Sequence, residues 1–303
     1  MKTDIYSRCT LCPRECGADR FKSKGFCGEG AEVRIARAEL HQWEEPCLSP
    51  QGRSGTVFFS GCQLGCVFCQ NYQLSAGHIG FSLTERQLAD TFLRLRDMGA
   101  ENIDLVTPTH FVPSVISALD LVKDELDLPV IYNCGGYEKP ETLEMLRGYV
   151  DIFLPDMKYM DSELSGRLSG APDYFERFRS MLGRMLEIAG KPRFDESGRM
   201  LGGVIVRHLV LPGCRRDSAA LIRWLGENFP KDSLLVSLMS QFTPVYKSAE
   251  YGLSRRTVTF EYETAAKELR SAGFDGFIQE RSSAEVEYIP IFYDHLYYDL
   301  SNT

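Results

Sequence analysis

The sequence predicts an α/β protein: a partial barrel of six β/α units carrying a Cys-rich N-terminal extension. Three observations predict it. From residue 56 onward, short apolar runs alternate with helical patterns. The apolar runs lack polar alternation, as strands do when both faces of a parallel sheet are covered. A length of 303 residues also suits a single α/β barrel as well as it suits two domains.

The elements follow in order. Thr56-Val57-Phe58-Phe59 is β-branched and aromatic between Gly55 and Gly61, and reads as a buried first strand. Residues 82–99 carry Leu83, Leu88, Phe92, Leu93, Leu95 and Met98 at helical spacing and stop at Gly99. Strands are expected at 103–106, 129–132, 150–154, 204–211 and 234–239, with a short apolar piece at 276–278. Helices are expected at 113–126, where a proline sits in the first turn, and at 140–148, 162–190, 218–228 and 257–273. Six β-then-α units in succession imply parallel strands joined by right-handed crossovers. Six are too few to close an eight-stranded barrel, so an open one is expected, with ligands at the carboxyl ends of the strands.

The organisation reads as residues 1–50, a Cys-rich metal-binding segment without periodicity; 51–280, the barrel; and 281–303, a tail packed on it. The tail holds Tyr288, Phe292, Tyr293, Tyr297 and Tyr298 around Pro290. Lys and Arg total 34 against 42 Asp and Glu, an acidic balance that disfavours general nucleic-acid binding. No apolar run reaches about 18 residues, and Met1-Lys2-Thr3-Asp4 lacks the plan of a signal peptide. A cytoplasmic protein without a membrane partner is expected.

In a reducing cytoplasm the ten cysteines read as metal ligands or catalytic groups rather than disulfides. Cys62, Cys66 and Cys69 lie on one loop after the first strand, spaced C-x₃-C-x₂-C, with Phe68 just before the third. Three thiolates can hold three irons of a cubane cluster and leave the fourth open to a substrate or cofactor. A zinc site completed by a distant His is the competing reading. Cys9, Cys12, Cys16 and Cys27 supply four thiolates, a complete set for either zinc or an auxiliary [4Fe–4S] cluster. Cys134 reads as a small buried filler.

The triplet resembles the motif of the radical S-adenosylmethionine (SAM) superfamily. The resemblance runs from about Ser54 to Tyr246. It is nearest to activating enzymes of glycyl-radical enzymes, in particular the branch named after the pyruvate formate-lyase activating protein. Phrases that carry it are Glu44-Glu45-Pro46-Cys47, Phe58-Phe59-Ser60-Gly61-Cys62, Cys69-Gln70-Asn71, Val106-Thr107-Pro108-Thr109-His110 and Tyr132-Asn133-Cys134-Gly135-Gly136-Tyr137. Leu154-Pro155-Asp156-Met157-Lys158-Tyr159, Val206 to Gly213 and Met239-Ser240-Gln241 carry it further.

The resemblance implies a radical SAM oxidoreductase. A [4Fe–4S] cluster on Cys62, Cys66 and Cys69 would cleave SAM reductively to a 5′-deoxyadenosyl radical that abstracts hydrogen from a substrate. It also implies a flavodoxin- or ferredoxin-type electron donor. The substrate is open: a glycyl-radical enzyme, a small molecule or a peptide. A non-catalytic iron–sulfur or zinc module is the alternative class, and the missing fourth ligand of the triplet argues against it.

SAM contacts are expected from Phe68 and from the strand ends. Thr107 stands where relatives hold the amino group of SAM. Asn133 stands where activating enzymes carry a polar residue near its carboxylate and ribose. Asp156 and Lys158, two apart on an extended segment, project to one side and suit a zwitterionic methionine moiety. Arg207 and His208 lie inside an apolar strand, where charge is rarely buried unpaired, so one of them should face the interior. His110 reads equally as ligand, acid–base group or helix-entry residue, and Gln241 as a weaker contact. No residue is assigned a catalytic proton or electron transfer.

Overall fold

The structure is a computed structural model and describes residues 2–279. The expected tail at 281–303 lies outside the described residues. Ten strands form one sheet: β1 (Val33–His41), β2 (Ser54–Phe59), β3 (Phe81–Leu83), β4 (Asn102–Val106), β5 (Val130–Cys134), β6 (Ile152–Pro155), β7 (Arg193–Phe194), β8 (Met200–Leu209), β9 (Leu235–Met239) and β10 (Gly276–Ile278). The helices are α1 (Lys2–Ser7), α2 (Tyr72–Ser75), α3 (Glu85–Asp97), α4 (Val112–Asp120), α5 (Pro140–Glu144), α6 (Ser162–Ser169), α7 (Tyr174–Ala189), α8 (Arg215–Asn228) and α9 (Thr259–Ala272).

Strands β2, β4, β5, β6, β8, β9 and β10 are parallel neighbours in that order, so the expected parallel core is present. The sheet ends at β3 and β10 and does not close among the described residues. Two apolar layers follow from the two faces of each strand. Val57, Phe59, Ile103, Leu105, Tyr132, Phe153, Val204, Val206 and Val236 pack with α3, α4, α7, α8 and α9 on the outside. Inside, Ile131, Ile152, Leu154, Met200, Ile205 and Leu235 surround one loop residue, Leu48.

That loop, 42–53, seals the barrel at the amino ends of the strands. Asn102 Nδ2 donates to the Leu48 carbonyl at 2.9 Å, and the Met200 amide to the Cys47 carbonyl at 2.7 Å. The expected boundary at residue 50 is therefore corrected. The sheet already begins at Val33, where β1 pairs antiparallel to β2, and the Cys-rich segment proper ends before it. The expected helix 162–190 is two helices, α6 and α7. Gly170 caps α6 in the left-handed region at φ +60°, and Pro172 follows it, the usual signature of a helix stop.

Among the described residues no helix is long and apolar enough to cross a membrane.

Candidate functional site

The parallel strands deliver their carboxyl ends to one side, and a cavity of about 890 Å³ lies there and runs down to the floor loop. The loop after β2 brings Cys62, Cys66, Phe68 and Cys69 to its wall. A glycine is required just before the first of these cysteines. Gly61 sits at φ +80°, and a Cβ there would fall 2.6 Å from the Cys27 carbonyl oxygen.

The loop is held from several directions. Val67 N–H donates to the Leu168 carbonyl at 2.9 Å and Gly65 N–H to the Ser169 carbonyl at 3.2 Å. Beneath it, buried Gln63 donates through Nε2 to Thr109 Oγ1 at 3.0 Å and to Glu138 Oε1 at 2.8 Å, while Tyr132 donates its hydroxyl to Glu138 Oε2 at 3.2 Å. Burial pushes the Glu138 carboxyl up to about 8, against the pull of those hydrogen bonds, so it is neutral at pH 7.

Each sulfur of the triplet has its own donor. The Leu64 amide reaches Cys62 Sγ at 3.3 Å, the Ser169 hydroxyl reaches Cys66 Sγ at 2.9 Å, and the Ser75 hydroxyl reaches Cys69 Sγ at 3.3 Å. As free thiols Cys62 and Cys69 would stay protonated, because burial pushes Cys69 up to about 11 and Cys62 well above its ordinary value. Donors aimed at sulfur suit thiolates, and a bound iron would supply the charge that deprotonates them. Three sulfurs on a cavity wall, each with its own protein donor, suit three irons of a cluster.

Across the cavity the strand ends form a charged layer. Asp156 accepts from Lys158 Nζ at 2.7 Å and from Arg207 Nε at 3.0 Å. Arg207 also donates through Nη2 to Asn133 Oδ1 at 2.6 Å, and Asn133 donates to Asp104 Oδ2 at 3.2 Å. Burial works against the charge on Asp156, but Arg207 and Lys158 outweigh it and hold the carboxyl below its usual range. Burial likewise opposes the charge on Lys158, and Asp156 restores it. Lys158 therefore presents a cation near Cys66.

Phe68, Thr107, Asn133, Asp156, Lys158, Arg207 and Gln241 all line the cavity. Thr107 does so in a strained conformation, φ +59°, which a β-branched residue rarely adopts and which costs on the order of 1–3 kcal/mol. Its amide is tied to the Asn133 carbonyl at 2.8 Å.

His208 does not line the cavity, which corrects the expectation of a SAM contact there. Strand alternation turns it outward when Arg207 faces in. It is buried with Nδ1 at 2.6 Å from the Met157 carbonyl, and burial lowers its pKa to about 4. His110 is also outside the cavity. Its Nε2 bonds the Ser60 carbonyl at 2.7 Å and burial lowers its pKa to about 3, so it is a neutral prop for the cysteine loop. Cys134 is buried at the end of β5 and reaches the cavity edge.

The N-terminal cysteines gather on the other side of the triplet loop. The Cys62 amide donates to the Cys27 carbonyl at 3.3 Å. Arg14 donates to the Gln63 and Gly170 carbonyls at 2.8 and 2.6 Å. Burial pushes the buried Cys12 and Cys27 thiols up, and neighbouring cysteines add to it: Cys27 and Cys9 for Cys12, and Cys9 for Cys27. A Cβ on Gly25 would lie 3.4 and 3.5 Å from the sulfurs of Cys27 and Cys16. The backbone amides of Arg14 and Glu29 bond the sulfurs of Cys12 and Cys27.

Sequence reasoning left three groups without a role. Ser75 and Ser169 come from α2 and α6 and carry no motif. Gln63 and Glu138 are 75 residues apart. The floor residues Glu44, Glu45 and Ser49 lie in a stretch without periodicity. Only the phrase Glu44-Glu45-Pro46-Cys47 hinted at them.

A model of the radical SAM superfamily matches residues 56–203, the stretch from β2 into β8 that carries the triplet. An uncharacterized protein of Methanocaldococcus jannaschii, MJ0674, is 30% identical over 278 residues, covering 88% of this chain and 75% of its own. Among solved structures, Streptococcus suis SuiB bound to precursor peptide SuiA is similar at 14% identity and a TM-score of 0.48, over 72% of this chain and 46% of that one. Methylornithine synthase (PylB) is similar at 17% identity and a TM-score of 0.46, over 71% and 67% of the two chains. This chain thus spans about half the length of SuiB. With the family model lying over the strands that build the cysteine loop, and a relative aligned along most of both chains, this chain belongs to the radical SAM superfamily, whose enzymes work with a [4Fe–4S] cluster and SAM.

Proposed function

We propose that Cys62, Cys66 and Cys69 hold a [4Fe–4S] cluster whose fourth iron takes SAM, and that the enzyme abstracts hydrogen from a substrate small enough to share the cavity. One observation carries this reading: three sulfurs, each with its own hydrogen-bond donor, face the same cavity as the Asn133–Arg207–Asp156–Lys158 layer. When bound, the cluster and SAM supply one-electron cleavage of the sulfonium and a 5′-deoxyadenosyl radical.

The protein's part is orientation and exclusion of water. Lys158 and Arg207 offer cationic N–H groups to a carboxylate, Asp156 and the Asn133 amide offer oxygens to an ammonium, and Phe68 presses an apolar face beside the third cysteine. Thr107 offers its hydroxyl and the backbone that its left-handed turn exposes. Ser75 and Ser169 donate to sulfur, which stabilises the reduced, more negative state of a cluster. A substrate limited by a volume of about 890 Å³ is a small molecule or one residue of a peptide. Activation of a glycyl-radical enzyme rests on the resemblance of the strand-end phrases.

We further propose that Cys9, Cys12, Cys16 and Cys27 hold a second, closed metal centre, an auxiliary [4Fe–4S] cluster or zinc. A cytoplasmic flavodoxin or ferredoxin would supply electrons. Anaerobic reconstitution with iron and sulfide, followed by SAM and dithionite, tests the main reading. Brown protein that releases 5′-deoxyadenosine supports it; protein that stays colourless overturns it.

A further inference from the structure

The floor of the cavity differs chemically from the layer above it. Glu44, Glu45 and Ser49 line it from the loop 42–53, and Asp104 stands behind them on β4. Glu44 and Asp104 are hydrogen-bonded to each other, which two carboxyls manage only when one carries a proton. Burial drives both above the ordinary carboxylate range.

The two cations of the layer above spend their hydrogen bonds elsewhere. Arg207 spends Nε on Asp156 and Nη2 on Asn133, and its Nη1 stands 3.9 Å from Glu44 Oε2, beyond a hydrogen bond. Lys158 is held by Asp156.

Two floor side chains also carry a buried oxygen without a hydrogen bond. Glu45 is 8% exposed and its Oε2 has no hydrogen bond; Ser49 is 6% exposed and its Oγ has none. Asp104 Oδ1 is unpartnered too. A buried acceptor without a donor is costly, so these groups are set for something that brings donors and positive charge. An alkylammonium group carries three donors that can reach separate acceptors.

We propose that Glu44, Glu45 and Ser49, with Asp104 behind them, seat a primary ammonium group of the substrate, below SAM in the same cavity. The word substrate rests on the radical SAM reading; the binding of an amine does not. The cavity is at the large end of ordinary ligand pockets, about 300–1,000 Å³, which leaves room for a small amine beside SAM.

Calorimetry on the full-length, reconstituted protein tests it with four probes of similar shape: n-butylammonium, putrescine, n-butanol and butyrate. The two amines bind wild type at millimolar concentration or tighter, and the alcohol and the carboxylate do not. Glu45→Gln weakens amine binding at least about tenfold, the cost of a charge-assisted hydrogen bond, with iron content and SAM affinity as in wild type. Four outcomes overturn the proposal: no amine bound, butanol or butyrate bound as well as the amines, Glu45→Gln without effect on amine affinity, or equal loss of SAM affinity, which would assign the floor to SAM. If Glu45→Gln does not fold, Ser49→Ala and the four-probe comparison on wild type decide. Protein that binds amines but never cleaves SAM would end the radical SAM reading and leave the amine site standing.

Discussion

The two cysteine groups adjoin, with Cys62 N–H donating to the Cys27 carbonyl and Arg14 to the Gln63 carbonyl, yet they are built in opposite ways. The sulfurs of the N-terminal group take donors from the amides of their own segment, Arg14 for Cys12 and Glu29 for Cys27. Two of the triplet's sulfurs take theirs from other elements, Ser75 of α2 and Ser169 of α6, and the triplet faces a large cavity. A closed site can be completed by a short chain segment. An open site needs the fold to hold its ligands apart and keep one face free.

The largest effect that tests this contrast comes from the triplet. Replacing Cys62, Cys66 and Cys69 by Ala should remove about four irons and abolish SAM cleavage, while circular dichroism shows the barrel intact. Cleavage at the wild-type rate in that variant would break the contrast outright. Next comes Cys12→Ala with Cys16→Ala. Metal bound by a segment with no preformed site contributes folding energy, so limited proteolysis should cut within the first 50 residues or so, with the triplet's iron retained. Loss of zinc alone identifies a zinc site, and loss of about four irons an auxiliary cluster. Unchanged metal content would remove the N-terminal site from the account.

Lys158→Ala sharpens the picture on the open side. Losing one charge-assisted hydrogen bond, about 1.5–3 kcal/mol, should weaken SAM about 10- to 100-fold with iron unchanged, measured by equilibrium binding. The smallest effect concerns Glu138, which supports the triplet loop through Gln63. Its carboxyl is raised from 4.5 to about 8. Above the lower value the unfolded chain releases its proton while the folded one keeps it. The folded state therefore loses stability as pH rises from 4.5 to about 8, and is level beyond. Glu138→Gln should flatten that slope in denaturant titrations; an unchanged slope would mean the carboxyl is not buried neutral.

The parts of this molecule legible in sequence are those set by local pattern. The parallel strands, the triplet and the strand-end residues Thr107, Asn133, Asp156, Lys158 and Arg207 all stand where the residues suggested. Strand β1 was hidden because its register with β2 shifts between Ile35 and Arg37. Such a shift breaks the two-residue period by which a strand is recognised. Gly170 and Pro172 mark the joint of α6 and α7, but apolar residues at helical spacing on both sides of it make one long helical stretch in sequence. His208 shows the limit of charge as a signal: one strand puts neighbours on opposite faces, and only the inward one can serve the cavity. Of the floor, the sequence offers only the phrase Glu44-Glu45-Pro46-Cys47, because Glu44, Asp104 and Arg207 meet only after the sheet has curled around Leu48.

The central claim is that the triplet leaves one iron without a protein ligand. Electron–nuclear double resonance on the reduced protein with SAM labelled by ¹⁵N at the amino group tests it most directly. The account predicts a nitrogen coupling to one iron of the cluster, present in wild type and in the Cys12→Ala, Cys16→Ala variant alike. Bound SAM with no such coupling in either protein would contradict it.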